Sequence, residues 1–410
     1  MVLKTKQPII AIALVTAICL AGDSMLYIVL PTHWKEVGLT SLVQVGILLS
    51  VNRFVRLPLN PLIGFIYKKV NLRNGILLAV ILSGITTISY GFVADFSIWI
   101  ILRSVWGLSW SLFKLGAFLL ILQLSKDTNR GNFMGTYNGL YRLGSLFGML
   151  LGGLFADLFG IKVISMVLGI FAFMSIPIIF KYIPKVLQSD NSIGIKPSLI
   201  TKIGLILNRR LILILITAFL LTMILDGMLT ATLSHVIEVK FTNKIDILGI
   251  IVGAATLAGM LQALRWGLAP FIVPKVGNML DKAVHKNKML AIFLASAFIL
   301  LAIIPSNIPL LLWLPILLVH VLIASILTMV MDTLAGDYAS KVTNKILIMT
   351  IFTIIVDLGA ALGPIAGYTL EQKFGLTNLF WLGAGICLFL SITWIIPSNE
   401  RAKQTIFQNM

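Results

Sequence analysis

The sequence predicts an all-α membrane protein with twelve transmembrane helices arranged as two pseudo-symmetric six-helix bundles. Three observations carry this prediction. Of the 410 residues, 59% are hydrophobic and only 11% are charged, whereas a soluble domain carries about 25% charged residues. Twelve stretches are long and apolar enough to cross a bilayer, which takes about 20 residues of helix. The second half of the chain also repeats the first at a fixed offset. Gly144, Gly148 and Gly160 are matched by Gly359, Gly363 and Gly375, each 215 residues on, and Arg142 falls on Asp357.

The first span covers 8–31. It is too long for the roughly 7–15-residue core of a cleavable signal peptide and lacks a clear cleavage site. Span two, 41–67, sets Arg53, Arg56 and Asn60 on one helical face at i, i+3 and i+7. Span three is 75–94. Span four, 97–124, aligns Arg103, Trp110 and Lys114 over three turns, and span five, 132–159, carries Arg142 and the glycine ladder Gly144, Gly148 and Gly152. Span six is 161–182. The one long polar segment, 184–210, then divides the chain into an N-terminal bundle (1–183), a cytoplasmic linker (184–208) and a C-terminal bundle (209–410). Span seven, 209–236, stacks Thr222, Asp226 and Thr230, much as Thr16, Asp23 and Tyr27 share a face of span one. Spans eight to twelve are 245–272, 288–305, 309–336, 347–370 and 377–397, with Arg265, Asp332 and Asp357 inside them.

Alternating the spans puts 21 lysines and arginines on the side of the N-terminus and 5 on the other. The excess marks the first side as cytoplasmic, so both termini lie inside and the membrane is the cell's inner, cytoplasmic one. The remaining six basic residues are inside spans. The net charge of +17 is therefore topology plus a basic interior, and nucleic acid is not an expected partner. Cys19 and Cys387 lie in apolar runs and read as small core residues.

The repeat extends to Asp23-Ser24-Met25-Leu26 against Asp226-Gly227-Met228-Leu229. The loop 125–130, Ser-Lys-Asp-Thr-Asn-Arg, is likewise echoed by 340–345, Ser-Lys-Val-Thr-Asn-Lys. Parallel six-helix halves with a midplane site between them are a transporter plan. Over nearly its whole length the chain resembles the major facilitator superfamily. Gly144, Gly148, Met149, Gly152 and Gly153 resemble that family's antiporter motif in span five, with Met149 where a proline is usual. Arg103, Trp106 and Gly107 resemble its span-four motif, whose arginine is associated with proton coupling in exporters. Gly64 to Lys69 occupies the place of the family's gating loop after span two, with Lys68 at the acid's position. The second copy, Gly277 to Lys282, keeps the acid as Asp281, and Gly363 and Pro364 continue the ladder in span eleven.

An ionised side chain at bilayer depth costs at least about 2.5–3.5 kcal/mol, so each one needs a partner, an aqueous cavity or a proton. Asp23 is the leading proton-carrier candidate, because a carboxyl in a low-dielectric cavity can alternate between neutral and charged. Asp226 is its repeat partner, and the span-four resemblance adds Arg103. Arg53, Arg56, Lys114, Arg142, Asp357 and Tyr27 are the expected substrate contacts. Arginine's planar fork suits carboxylate or phosphate, and Arg142 with Asp357 is expected to pair across the pseudo-twofold axis. Gly64, Lys68, Gly144, Gly148, Gly152, Gly277, Asp281, Gly363 and Pro364 are expected gating or packing positions. Asp332 and Asp337 read as interfacial salt-bridge partners near the cytoplasmic end of span ten, and His33 and His235 as surface residues near the outer ends of spans one and seven.

No HExxH, GxSxG, P-loop or paired CxxC occurs, so no enzyme activity, metal or cofactor is expected. The resemblance implies a monomeric secondary transporter. It would export a small anionic organic solute such as a drug, metabolite or polycarboxylate siderophore by alternating access, coupled to protons. The alternatives are proton-coupled uptake of an organic anion, lipid flipping, and a membrane sensor that moves nothing.

Overall fold

The computed structural model describes residues 2–124, 130–185, 208–241, 244–247, 250–282, 285–340 and 345–395. The repeat loops at 125–129 and 341–344, and the linker from 186 to 207, lie outside the described residues. Four helices come first: α1 (Val2–His33), α2 (Leu42–Lys69), α3 (Leu72–Ser89) and α4 (Phe96–Leu124). Caps set where three of them begin. Ser41 accepts from the Gln44 amide, Asn71 from the Asn74 amide and Asp95 from the Ile98 amide. Each cap satisfies a backbone donor that the first helical turn leaves unpaired.

The next helix, α5 (Arg130–Met174), is followed by the short α6 (Ile176–Tyr182). Together they are too long for one crossing: 132–182 has 51 residues, about 75 Å as a single helix. The chain breaks at Gly160, which has φ 80° and ψ 164°. Before Gly160, α5 runs parallel to α1, with Gly144, Gly148 and Gly152 set against Ala17, Ala21 and Met25. After it the chain runs antiparallel to α3. Lys162 meets Gly91, Phe173 meets Gly84, and Arg73 Nε donates to the Ile183 carbonyl at 2.6 Å. Spans five and six are thus two crossings.

The second half holds α7 (Arg209–Leu221), a π-helical segment (Thr222–Met228), α8 (Leu229–Phe241) and a hairpin of β1 (Lys244–Ile247) with β2 (Ile250–Gly253). Then come α9 (Ala254–Lys282), α10 (Lys286–Ile303), α11 (Leu310–Ser340), α12 (Lys345–Phe374) and α13 (Leu376–Ile395). Ten helical stretches among the described residues are apolar and long enough to cross a membrane, and the bent 254–280 makes eleven. Counting 132–182 as two crossings gives the twelve spans of two six-helix bundles. The repeat is visible in the backbone, because Gly375 has φ 80° like Gly160, a left-handed conformation that costs glycine little.

One expected span boundary is corrected. Span eight does not begin as helix at 245. Lys244–Ile247 pairs antiparallel with Ile250–Gly253, and the helix starts at Ala254. The apolar run of Ile245, Ile247, Ile250, Ile251 and Val252 is rich in β-branched residues, which suit a strand, and hydropathy alone does not distinguish the two.

The halves also differ by one residue at span seven. In the first half the α5 ladder advances by four residues at a time, and so do its partners Ala17 and Ala21 and then Met25. In the second half Gly359, Gly363 and Gly367 advance by four, while their partners Phe219, Met223 and Met228 advance by four and then five. The π segment absorbs the extra residue, as π turns do. It holds Asp226, so the offset is 202 at Ala17 and Phe219 but 203 at Asp23 and Asp226.

The glycine ladder makes the α1–α5 contact sensitive to any added side chain. A Cβ at Gly148 would run into the Ala21 carbonyl. Gly148→Leu is expected to force the helices apart at a cost of about 3 kcal/mol or more. Gly135→Leu, with nothing within 4 Å of its Cβ position, is expected to be near neutral. Thermal unfolding and monodispersity in detergent compare the two.

Candidate functional site

The bundles meet at one end of the molecule and part at the other. Gly46 of α2 abuts the Pro364 carbonyl and Tyr368 of α12, Gly153 of α5 abuts Ala255, and Gly259 of α9 abuts Met149. The two halves also share a polar bond. Asp157 Oδ2 accepts from the Thr256 amide at 2.7 Å and from its hydroxyl at 2.6 Å. Asp157 thereby caps α9 from the opposite half, and negative charge there also suits the positive end of the helix dipole. All these contacts lie toward the α1–α2 turn. Toward the termini, Gly139 and Gly267 have nothing within 4 Å of a Cβ position. Along α5, residues from Asn138 to Met149 line a central cavity, and Gly153 and Asp157 close its far end.

The cavity measures about 770 Å³, within the range of small-molecule sites. It brings together Asp23, Tyr27, Arg53, Arg56, Lys114, Arg142, Asp226 and Asp357 from the expected site, along with Arg265 and Asp332. Arg103 stands directly behind the wall.

Each half keeps one Asp–Arg pair. Asp23, 5% exposed, takes Arg103 Nη1 as its ion-pair partner, and Asn52 Nδ2 donates to the same carboxylate at 3.2 Å. Arg103 is fully buried, and its Nε donates to the Leu48 carbonyl at 2.9 Å. In the second half Asp226 pairs with Arg265 Nη2 at 2.7 Å, Arg265 Nε donates to Ser325 Oγ at 2.9 Å, and Thr328 donates to Asp226 at 3.4 Å. The acids are repeat partners but the arginines are not, since Arg103 comes from span four and Arg265 from span eight. Sequence reasoning placed Arg265 inside a span and missed its role. Its signal was that an intramembrane arginine near an unpartnered intramembrane acid is expected to find it.

Four cations of the first half have no carboxylate within 4 Å among the described residues: Arg53, Arg56, Lys114 and Arg142. Three of them rest on aromatic faces. The Arg53 guanidinium lies 5.7 Å from the Tyr27 ring centre, Arg56 lies 5.9 Å from Trp110, and Arg142 lies 5.7 Å from Trp266 of the opposite half. Such stacking holds the charge at small desolvation cost. The Tyr27 hydroxyl donates to the Leu49 carbonyl at 3.2 Å, which anchors the ring beneath Arg53.

Three expectations are corrected here. Arg142 and Asp357 form no ion pair with each other among the described residues. Arg142 instead faces Asp332 electrostatically, and Asp357 faces Arg53 and Arg56. Asp332 is therefore a cavity residue rather than an interfacial one, whereas Asp337 does make a peripheral pair with Lys286 at 2.7 Å. The histidines are part-buried beside acids rather than on the surface. His33 lies 3.9 Å from Asp157, and His235 Nε2 lies 2.8 Å from Glu371.

Trp106 and Met149 line the cavity, whereas the motif glycines Gly144, Gly148, Gly152, Gly277 and Gly363 do not. Gly144, Gly148 and Gly152 pack on α1, and Gly363 packs on the π segment. Gly64 is in α2 and Gly277 in α9, both toward the open end. The side chains of Lys68 and Asp281 lie outside the described residues.

Two six-helix bundles, closed at one end and parted around a charged midplane cavity at the other, define a membrane transporter. The chain belongs to the Major Facilitator Superfamily, whose sequence profile matches residues 12–341. No curated protein is significantly similar in sequence. Among solved structures, the chain is similar to the nucleoside transporter NupG, with a TM-score of 0.73, 13% identity and coverage of 96% of this chain and 98% of that one. It is also similar to the peptide transporter POT solved in complex with sulfate, with a TM-score of 0.72, 12% identity and coverage of 95% and 94%. A bacterial homologue of the human lysosomal transporter Spinster, inward-facing and unoccupied, gives a TM-score of 0.72 and 14% identity, with coverage of 96% and 95%. At these identities the likeness is one of fold.

Removing one partner of a buried ion pair leaves the other charge uncompensated, at about 3–5 kcal/mol. Asp23→Ala is expected to destabilise by that order. Arg142→Ala, which loses only a cavity cation on an aromatic face, is expected to stay within about 1 kcal/mol. Thermal unfolding in detergent compares them. Asp157→Ala removes the cap that ties α5 to α9 and is expected to raise the population of molecules opened at the α1–α2 end. In proteoliposomes, an impermeant thiol reagent applied on the α1–α2 side to a cysteine placed at Thr230 in the cavity lining reads this as faster modification.

Proposed function

We propose that this transporter moves a small organic anion across the cytoplasmic membrane by alternating access, exporting it in exchange for protons. The observation that carries the reading is the set of four cavity cations without a carboxylate beside them. Charge without a partner at bilayer depth is costly, and a bound anion would supply the partner during transport. The arginine fork favours carboxylate or phosphate oxygens.

Asp23 is the proposed proton carrier. It sits at mid-span on the cavity wall, tied to Arg103 and Asn52. Protonation of Asp23 would release Arg103, and deprotonation would restore the pair, so proton binding and release change the charge behind the cavity wall and can be coupled to anion binding. Asp226 with Arg265 is the second candidate pair. The excess of basic residues on the terminal side supports termini in the cytoplasm. In that orientation the open end faces inward and the Asp157 latch closes the outer face.

The test is proton flux in proteoliposomes that hold a pH-sensitive dye, under an imposed gradient, with pooled cell-extract anions added and Asp23→Asn as control. Anion-dependent proton movement by the wild type, lost in the variant, is expected, and its sign distinguishes antiport from symport. Equal flux in both proteins would remove Asp23 from the coupling mechanism. Flux from neither would remove proton coupling.

A further inference from the structure

The two walls of the cavity carry opposite charge, and this narrows the solute. Once the internal pairs Asp23–Arg103 and Asp226–Arg265 are set aside, the first half leaves Arg53, Arg56, Lys114 and Arg142. The second half leaves Asp332 and Asp357. Four cations less two carboxylates leave +2 facing the solute. Each carboxylate stands within electrostatic reach of cations on the opposite wall, so the two signs are interleaved across the gap.

We propose that the solute is amphoteric, with three acid groups and one ammonium group close to an acid group, carrying a net charge of about −2. This deepens the organic-anion reading and rests on it. In the parted cavity, water screens both walls. On occlusion the water leaves, and each charge left without a partner costs several kcal/mol. A solute with cationic groups only meets four like charges. A solute with acid groups only satisfies the first half but drives its charge against Asp332 and Asp357 as the walls approach. A solute with both signs gives every group a partner and draws the halves together, so its binding energy favours closure over the open state. The second wall also offers a built polar contact. Gln262, 1% exposed and lining the cavity, has neither its amide oxygen nor its amide nitrogen bonded among the described residues, so it can receive an ammonium or amide group of the solute.

The test uses the full-length protein in lipid nanodiscs and three probes built on one dipeptide backbone that carry different charges. Glutamyl-glutamate has three carboxylates and one ammonium group, its N-acetyl derivative lacks the ammonium group, and its trimethyl ester lacks the acid groups. Binding is read as the rise in unfolding temperature across a titration to about 10 mM, since a ligand stabilises by RT ln(1 + [L]/Kd). The expected result is that the dipeptide binds at least about tenfold more tightly than its N-acetyl derivative, and that the ester gives no shift. The preference is expected to fall below about twofold in Asp357→Asn and in the Asp332→Asn, Asp357→Asn double variant, while Arg142→Ala weakens both acidic probes. Each variant's own melting curve verifies that it folds, and the single variant serves if the double one does not.

Equal or tighter binding of the N-acetyl derivative would overturn the amphoteric proposal and leave the anion reading standing. Tightest binding of the ester would overturn both. No shift from any probe would overturn the charge-complement argument, with the anion reading then judged by proton flux alone.

Discussion

The structure depends on one constraint: a charge at the depth of the bilayer must have a partner. Among the described residues, ten aspartate, lysine and arginine side chains lie deep within the spans, and the fold accommodates them in three ways. Asp23 and Arg103, and Asp226 and Arg265, neutralise each other inside their own halves. Arg53, Arg56 and Arg142 lie over aromatic rings, which offer a negative face without adding charge. Lys114, Asp332 and Asp357 open onto the cavity. The cavity is thus required by the sequence as well as permitted by it, because these side chains have no place in lipid.

The same constraint explains why the helices around the cavity pack so closely elsewhere. Lipid is as apolar as leucine, so association depends on small residues that bring backbones together. The ladder Gly144, Gly148, Gly152 against α1 and the ladder Gly359, Gly363, Gly367 against the span-seven helix do this in the two halves. The second ladder meets a π segment that holds one residue more than its counterpart. That residue falls between Met223, which faces Gly363, and Asp226, and it coincides with a change of partner, from an arginine of span four to one of span eight. Duplication supplied two equal halves, and a single inserted residue accompanies their divergence at the site that the transport reading singles out.

Cross-half contacts are concentrated at one end, and their chemistry is asymmetric. Asp157 reaches from α5 to the first turn of α9, while the equivalent region of α12 keeps Glu371 within its own half beside His235. One acid latches the halves and the other does not. Both are accompanied by a histidine, so two pseudo-equivalent pairs occupy the closed end, and neither was apparent when His33 and His235 were read as surface residues. The acid beside His33 lies over a hundred residues away, and although Glu238 stands 3.8 Å from His235 one helical turn on, the closer partner Glu371 is distant in sequence.

Hydropathy and internal repetition are properties of the chain in one dimension, so the sequence by itself determined what they encode. They specified twelve crossings, two related halves, the ladder glycines and the basic interior. Even there a short β-branched run at 245–252 read as helix, because apolarity over a few residues does not distinguish strand from helix. Only the tertiary structure decided which charges face one another. The 215-residue offset matched Arg142 to Asp357, yet equivalence in a repeat is not proximity in space. The pseudo-twofold axis carries each residue to the opposite half, and the helices' rotations about their own axes decide which charges come within electrostatic reach, here Asp332 with Arg142 and Asp357 with Arg53 and Arg56. Partner choice depends on those rotations and on how closely the halves approach, and no period within a single helix records either.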